Sequence, residues 1–546
     1  MTGLSKTRYT AFCQCPKNLW LKVYKPEVAT PDDALEARFE QGNKVGDLAM
    51  RLFGDFVEVT SKNEDGSLNL TAMLRKTKIE MAKGTENICE ASFALEGHYC
   101  AVDILRRNGE GWDIYEVKSS SFPENDGQEA KLEKYAPDIA YQKWVLTKCD
   151  VKVTNTYLVC LNSDYVRHGE LDLQQLFVII DMKDLVENEY LKVTDNVHVA
   201  MKVLNNGQEP DADLSEHCKK PYACAFFDYC KRQHGVPSPS VFDVYGGKGR
   251  GGFTFNKKLD CYHQGLITFE RLQGLPLGKI QNMQIEAALT GKEFINPQGI
   301  RSFLNKLTYP LYFLDFETMQ DAVPQYDDAK VYSQITFQYS LHVKPSETAE
   351  YQHKEYLAPN DGKDPRRALA EQLCRDIPMG VCILAYNKMF ECGRIKELAS
   401  LYPDLSDHLL NIENNIIDLI EPFRTGDYYV RAMGGSFSIK SVLPAIFPDD
   451  HELNYHNLDV RCQNGGDAMT IFPKLNELQK IILQQGLQMK EGGSLWLSDS
   501  LMRLSDIQAI QKEIAASREA LLNYCKLDTW AMVKVWEKLE KTAGVI

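Results

Sequence analysis

The chain has 546 residues, of which 44% are hydrophobic and 25% are charged, a globular composition that excludes long disorder. Its formal net charge of −14 does not by itself indicate a nucleic-acid partner, so such binding would need local basic patches. The sequence has no apolar run of about 18 residues and no secretory signal pattern, so we expect a cytoplasmic protein without membrane contact.

Helical and strand patterns alternate through the first part of the chain. The predicted elements are helices within 1–30, at 36–53 and at 137–146, and strands at 88–95, 99–106, 112–118 and 156–161. Turns at Glu96-Gly97 and Asn108-Gly109 separate the first three strands. The second and third strands therefore form a hairpin.

This hairpin carries three residues that suit phosphodiester chemistry. Asp103 lies in its first strand, and Glu116 and Lys118 share one face of its second. The two acids could hold a metal ion that lowers the pKa of a bound water, and Lys118 could position that water. The alternative is a surface hairpin with an ordinary Glu–Lys pair.

A cysteine cluster follows the strands. Cys218, Cys224 and Cys230 are evenly spaced within a polar segment, and Cys15, which precedes a proline, is the best fourth candidate. Four thiolates suit either an iron–sulfur cluster or zinc. Fifteen cysteines in a reducing compartment favour such a site over disulfides.

The early Cys-Pro, the acidic hairpin and the three closing cysteines together resemble RecB-like PD-(D/E)XK nucleases with an iron–sulfur clasp. The resemblance implies a cluster, 4Fe-4S in type, held by the four cysteines, and catalytic roles for Asp103, Glu116 and Lys118. It also places Gln142 in a motif that contacts substrate. One departure is Gly46, which stands where related nucleases carry a metal-binding histidine.

A second acidic pattern opens the C-terminal half. The segment YFLDFET at 312–318 reads as a buried strand that carries Asp315 and Glu317. Side chains alternate along a strand, so both acids point to one face. A divalent cation would relieve their repulsion. The alternative is a strand end with two solvated acids.

Later segments extend this pattern. Strands are predicted at 335–343, 380–385 and 416–420, and helices begin near Arg366, after Asn387, after Gly434 and at 517. Tyr524 and Asp528, four apart, share one face of the last helix. Glu391 follows an Asn-x-x-Phe pattern, and Asp418 lies in a strand.

These motifs resemble the DnaQ-like, tyrosine-type DEDD exonucleases of the RNase H-like fold. The resemblance implies two Mg²⁺ or Mn²⁺ ions held by Asp315, Glu317, Glu391 and Asp528, with Tyr524 orienting the attacking water. Glu391 replaces the usual aspartate, and Asp418 is the alternative ligand.

The chain as a whole is similar to an uncharacterised bacterial family that joins these two nuclease types. We expect an α/β protein with a PD-(D/E)XK restriction-endonuclease-like core at 1–235, a helical connector at 236–305, and an RNase H-like domain with a mixed sheet at 306–546. The implied function is metal-dependent hydrolysis of nucleic acid, DNA in preference to RNA, in repair or antiphage defence, with a protein partner allowed. The alternative is an impaired nucleic-acid-binding or assembly subunit that keeps nuclease folds.

Overall fold

The computed structural model describes residues 3–32, 35–123, 129–247, 252–491 and 504–544. Contacts divide the chain into two compact units. The first comprises Met1–Pro237 and Asp321–Ser333, and the second comprises Ser238–Gln320 and Gln334–Ile546. Both units combine helices with β-strands, which confirms the predicted α/β class.

The expectations of no membrane span and of a glycine-rich loop can be compared with the described residues. Across the described ranges, no helix combines the length and apolarity that a bilayer crossing requires. A glycine-rich stretch at 246–252, which the sequence identifies as a loop without a phosphate-binding pattern, lies outside the described residues at 248–251.

The first unit is built on a mixed sheet with the spatial order β2-β3-β4-β5-β6-β7, and β1 pairs in parallel with β4. The strands are β1 (Leu4–Ser5), β2 (Val57–Glu58), β3 (Asn87–Leu95), β4 (His98–Asn108), β5 (Gly111–Phe122), β6 (Val153–Asn162) and β7 (Phe177–Asp181). The predicted hairpin of β4 and β5 and the two predicted turns are confirmed, and Gly97, with φ of +84°, supplies the left-handed backbone that the first tight turn needs. Strand β6 runs parallel to β5.

Helices pack on both faces of this sheet. They are α1 (Lys6–Gln14), α2 (Pro16–Tyr24), α3 (Leu35–Ala49), α4 (Leu70–Lys83), α5 (Glu129–Leu132), α6 (Ala136–Lys148), α7 (Leu173–Leu176), α8 (Lys183–Asn206) and α9 (Phe227–Gln233). Cys15 separates α1 from α2 in an extended conformation. In α3, Val45 and Ala49 are buried, whereas Phe39, an apolar residue of the same helix, is 64% exposed.

The second unit contains a five-stranded mixed sheet in the order β11-β10-β9-β12-β13. The unit's strands are β8 (Phe294–Ile295), β9 (Leu311–Gln320), β10 (Gln334–Lys344), β11 (Gln352–Leu357), β12 (Cys382–Ala385), β13 (Ile416–Asp418) and β14 (Tyr428–Tyr429). Strands β9, β10 and β11 are antiparallel, whereas β12 and β13 run parallel to β9. Strands β8 and β14 form a separate pair.

The helices of the second unit are α10 (Phe255–His263), α11 (Phe269–Leu272), α12 (Lys279–Thr290), α13 (Pro297–Leu304), α14 (Arg366–Asp376), α15 (Met389–Leu401), α16 (Ser406–Asn414), α17 (Glu421–Arg424), α18 (Ile439–Ile446), α19 (Gly465–Glu491) and α20 (Leu504–Ala543). The helices predicted in the connector, α11 and α12, belong to this unit by contacts. The last helix begins at Leu504, well before the predicted residue 517.

The central strand β9 separates two faces of the second unit. Tyr312, Leu314 and Phe316 join an apolar core against α14, α15 and α16. On the other face Phe313 packs against Trp536 of α20, with ring centroids 5.8 Å apart. Because side chains alternate along a strand, Asp315 is placed on the α20 side, and Glu317 with it.

Candidate active sites

Acids from three elements converge on one cavity of the second unit. Asp315 and Glu317 come from β9, Glu391 comes from the first turn of α15, and Asp528 comes from α20. All four line a cavity of about 340 Å³, and Tyr524 lines it as well. The structure therefore brings together the full set of residues that the DEDD resemblance names.

The electrostatics of this cavity are those of crowded, buried carboxylates. Burial raises the pKa of Asp315 well above its usual range, and the negative charge of Asp528 raises it further. Burial followed by the charge of Asp528 raises the pKa of Glu317 in the same way. Burial raises the pKa of Glu391 to about 8. Within the described lining, Lys440 is the one basic side chain.

The contacts of the two carboxylates favour Glu391 over Asp418 as the fourth acid of the site. Asp418 Oδ1 accepts the backbone N–H of Asn387 at 2.8 Å, and its Oδ2 lies 3.4 Å from Arg424 Nη1. Glu391 is 2% exposed, and its Oε2 has no hydrogen-bond partner in the described part of the chain. A buried acceptor without a donor is costly, so Glu391 is the carboxylate available to a cation.

Two residues of this site were missed from the sequence. The hydroxyl of Tyr455 donates to Asp528 Oδ1 at 2.5 Å. Lys440 Nζ lies 5.2 Å from the ring centroid of Tyr455 and 5.3 Å from that of Tyr524. Tyr455 belongs to an irregular segment without a periodic pattern, so no local signal indicates it. Lys440 follows the Gly-Gly-Ser turn before α18, and this turn is only a weak signal of a functional residue.

A divalent cation fits these residues. Hard cations prefer carboxylate oxygens, and here four carboxylates, one with an orphan oxygen, face one cavity. Among the described residues, one group of three side chains has its potential ligand atoms within 4.8 Å of one another. The group consists of Asp315, Glu317 and Cys525. The Cys525 thiol lies 3.8 Å from Asp315 Oδ2 but is not part of the cavity lining. It therefore contacts Asp315 from outside the cavity.

The predicted acids of the first unit also meet, in a different arrangement. Lys118 Nζ donates to Glu116 Oε1 at 2.6 Å and to Asp138 Oδ2 at 2.9 Å. Gln142 Nε2 donates to Glu116 Oε2 at 2.6 Å and to Asp138 Oδ1 at 3.1 Å. Asp103 Oδ2 accepts a backbone N–H of β5 at 2.7 Å. Gln142 therefore orients acids instead of facing open solvent.

Lys6 completes this cluster, and the sequence analysis missed it. Its Nζ lies 3.3 Å from Asp103 Oδ1, and 3.1 and 3.2 Å from Glu116 Oε1 and Oε2. Each carboxylate oxygen of Asp103 and Glu116 thus has a donor, so this arrangement does not fit a divalent cation. Burial raises the pKa of Glu116 to about 7 despite the two lysines. Asp138, another missed residue, lies four positions before Gln142 on α6, a helical spacing that could have indicated it.

The four predicted cluster cysteines line one pocket of the first unit. Cys15 comes from the α1–α2 junction, and the others from the segment that ends in α9. Gln14 Nε2 donates to the carbonyls of His217 and Tyr222, each at 2.8 Å, and ties the junction to that segment. All fifteen cysteines are free thiols. Four thiols around one pocket fit a soft metal centre.

Comparisons with known proteins are sparse. Residues 312–438 match a family described as a domain of unknown function (DUF2779). The matched residues include Asp315, Glu317 and Glu391 but end before α20 and Asp528. The search of curated proteins finds no match to the sequence.

Proposed function

We propose that the protein is a metal-dependent nuclease whose hydrolytic centre is formed by Asp315, Glu317, Glu391 and Asp528. One observation carries this proposal: four carboxylates from β9, α15 and α20, of which all but that of Asp315 are buried, face one cavity whose described lining contains a single basic side chain. Repulsion between neighbouring carboxylates is typical of a site that binds a cation.

The four acids would hold Mg²⁺ or Mn²⁺, and ions bound there would supply a water of lowered pKa and stabilise the leaving oxygen. The Tyr455 hydroxyl donates a hydrogen bond to Asp528 Oδ1 and so fixes the orientation of that carboxylate. Tyr524 lines the cavity beside Asp528 and is placed to orient a water. Lys440, above both tyrosine rings, would attract a phosphate.

The substrate we propose is nucleic acid, DNA in preference to RNA, within repair or antiphage defence in the cytoplasm. The cavity of about 340 Å³ has the volume of a small-ligand site and suits a terminal nucleotide. A terminal nucleotide favours exonuclease action, in the 3′-to-5′ direction that the DEDD resemblance implies. The proposal allows a protein partner in a defence or repair complex.

The test is degradation of end-labelled single- and double-stranded DNA and RNA by the full chain with Mg²⁺ or Mn²⁺. We expect Asp315→Asn combined with Asp528→Asn to lower the rate at least about 100-fold, because carboxylate ligands become amides. Asp404→Asn, an exposed acid paired with Arg367, is the matched control and should retain the rate. Equal degradation by the double variant and the wild type would refute the site.

A second candidate function is nucleic-acid binding or assembly without hydrolysis. The first unit favours it, because Asp103 and Glu116 are fully partnered by Lys6, Lys118, Gln142 and a backbone N–H. A non-catalytic protein would bind labelled DNA in a shift assay but would neither degrade it nor bind Mn²⁺ at the C-terminal acids.

We also propose an iron–sulfur cluster on Cys15, Cys218, Cys224 and Cys230, with zinc as the alternative. The four cysteines line one pocket, four thiolates suit either group, and the resemblance to iron–sulfur nucleases favours the cluster. Visible absorbance with bound iron and sulfide after anaerobic preparation would support the cluster. A colourless protein that contains zinc would refute it.

A further inference from the structure

The ammonium group of Lys6 lies where the two predicted metal ligands of the first unit converge. Its three contacts, 3.1 to 3.3 Å long, reach both carboxylates, Asp103 and Glu116. Two carboxylates at these distances favour the charged ammonium form, so a positive charge lies between the two acids.

The fold holds Lys6 in place through its backbone. Strand β1 pairs in parallel with β4, with Ser5 opposite Tyr99, and Lys6 is the next residue and the first of α1. Ser5 caps that helix by accepting the backbone N–H of Arg8. The hydroxyl of Tyr141 donates to the Leu4 carbonyl at 2.5 Å.

The two ammonium groups of this cluster offset two of its three carboxylates without any added ion. Asp103, Glu116 and Asp138 supply three carboxylates, and Lys6 and Lys118 supply two ammonium groups in direct contact with them. A divalent cation at the same point would have to displace Lys6 and would lie close to Lys118. The second unit differs, because no basic side chain in its described part forms an ion pair with Asp315, Glu317 or Asp528.

We infer that Lys6 takes the place of a divalent cation between Asp103 and Glu116, so that the first unit binds no catalytic metal and hydrolysis belongs to the second unit alone. Asp103 and Glu116 then belong to a cluster of ion pairs that holds α1, β5 and α6 together.

The experiment isolates the first unit within the full chain. Asp315→Asn with Asp528→Asn removes the C-terminal metal site, and Mn²⁺ binding is then followed by electron paramagnetic resonance and calorimetry. We expect this background to bind no Mn²⁺ that depends on Glu116. Adding Lys6→Ala should create a Mn²⁺ site, and adding Glu116→Gln to that variant should remove it again.

Lys134→Ala is the matched control, because Lys134 lines the same cavity as Lys6 and contacts tyrosine rings. It should create no Mn²⁺ site, and neither should Lys6→Arg, which keeps the charge. Circular dichroism checks folding, and Lys6→Met replaces Lys6→Ala if the latter unfolds.

Two results would overturn the inference: Mn²⁺ binding that depends on Glu116 while Lys6 is present, or no gain of binding in a folded Lys6 variant. Neither result bears on the C-terminal site, which is blocked throughout, so the proposed nuclease function is judged separately by its own degradation assay.

Discussion

The two acidic clusters of the chain differ in whether individual carboxylates are paired with a positive charge. In the first unit, Glu116 contacts Lys6, Lys118 and Gln142. In the second unit, Asp528 accepts from a neutral tyrosine, and Glu391 Oε2 has no partner in the described part of the chain. The first arrangement stabilises a fold, whereas the second leaves repulsion that a bound cation would remove.

Asp315→Asn should therefore stabilise the metal-free chain while weakening metal binding. The amide removes a charge that burial and the neighbouring Asp528 both disfavour. We expect the free energy of unfolding in EDTA to rise, because an amide carries no charge for burial and Asp528 to disfavour. Denaturant unfolding with and without Mn²⁺ measures both effects. A variant destabilised in EDTA and unchanged in Mn²⁺ affinity would contradict the account.

Glu391 should make metal-free stability depend on pH. Its pKa is about 8 in the folded chain and about 4.3 in an unfolded one, so between these values only the folded state keeps the proton. Raising the pH from 5 to 8 therefore destabilises the folded chain, by up to about 1.4 kcal/mol per pH unit from this group. Glu391→Gln should flatten the unfolding free energy against pH in EDTA. An unchanged slope would mean that Glu391 is ionised in the folded protein.

At the scale of elements, strand alternation and helix starts decide which side chains meet. Strand β9 directs Tyr312, Leu314 and Phe316 into the core, so its acids face α20. The break between α1 and α2 places Cys15 at the pocket that the later cysteines line. Short elements with fixed ends thus position both candidate centres.

The cysteine junction yields a prediction at this scale. Cys15→Ser should lose bound iron and lower the unfolding temperature, because a metal centre joins the start of the first unit to its end. Cys13→Ser is the matched control: Cys13 is exposed, lies two residues away and is absent from the pocket lining. Iron content and thermal unfolding measure the outcome, and equal iron in both variants would refute the assignment of Cys15.

At the scale of the whole molecule, local patterns predicted most central elements but few of the partners of the site residues. Strands β3, β4, β5, β9 and β10 follow from alternation and turn residues, because those signals are local. The edge strand β11 was missed, since its polar residues show no alternation that distinguishes it from a loop.

The missed partners have a common physical reason. Lys6 reaches residues about a hundred positions away, and Tyr455 reaches Asp528 from an irregular segment. Neither contact leaves a periodic trace in the sequence, because both depend on how elements pack. The motif residues were found from their types and spacing, whereas the side chains that contact them follow no such local pattern.

We propose that the acids of the second unit are a metal centre and those of the first are not. Titration of the full chain with Mn²⁺, followed by electron paramagnetic resonance, distinguishes the two sites. We expect two bound ions per chain. Both should be lost in Asp315→Asn with Asp528→Asn, and both retained in Glu116→Gln. Absence of Mn²⁺ binding in the wild type, or binding that survives the double substitution, would contradict the account.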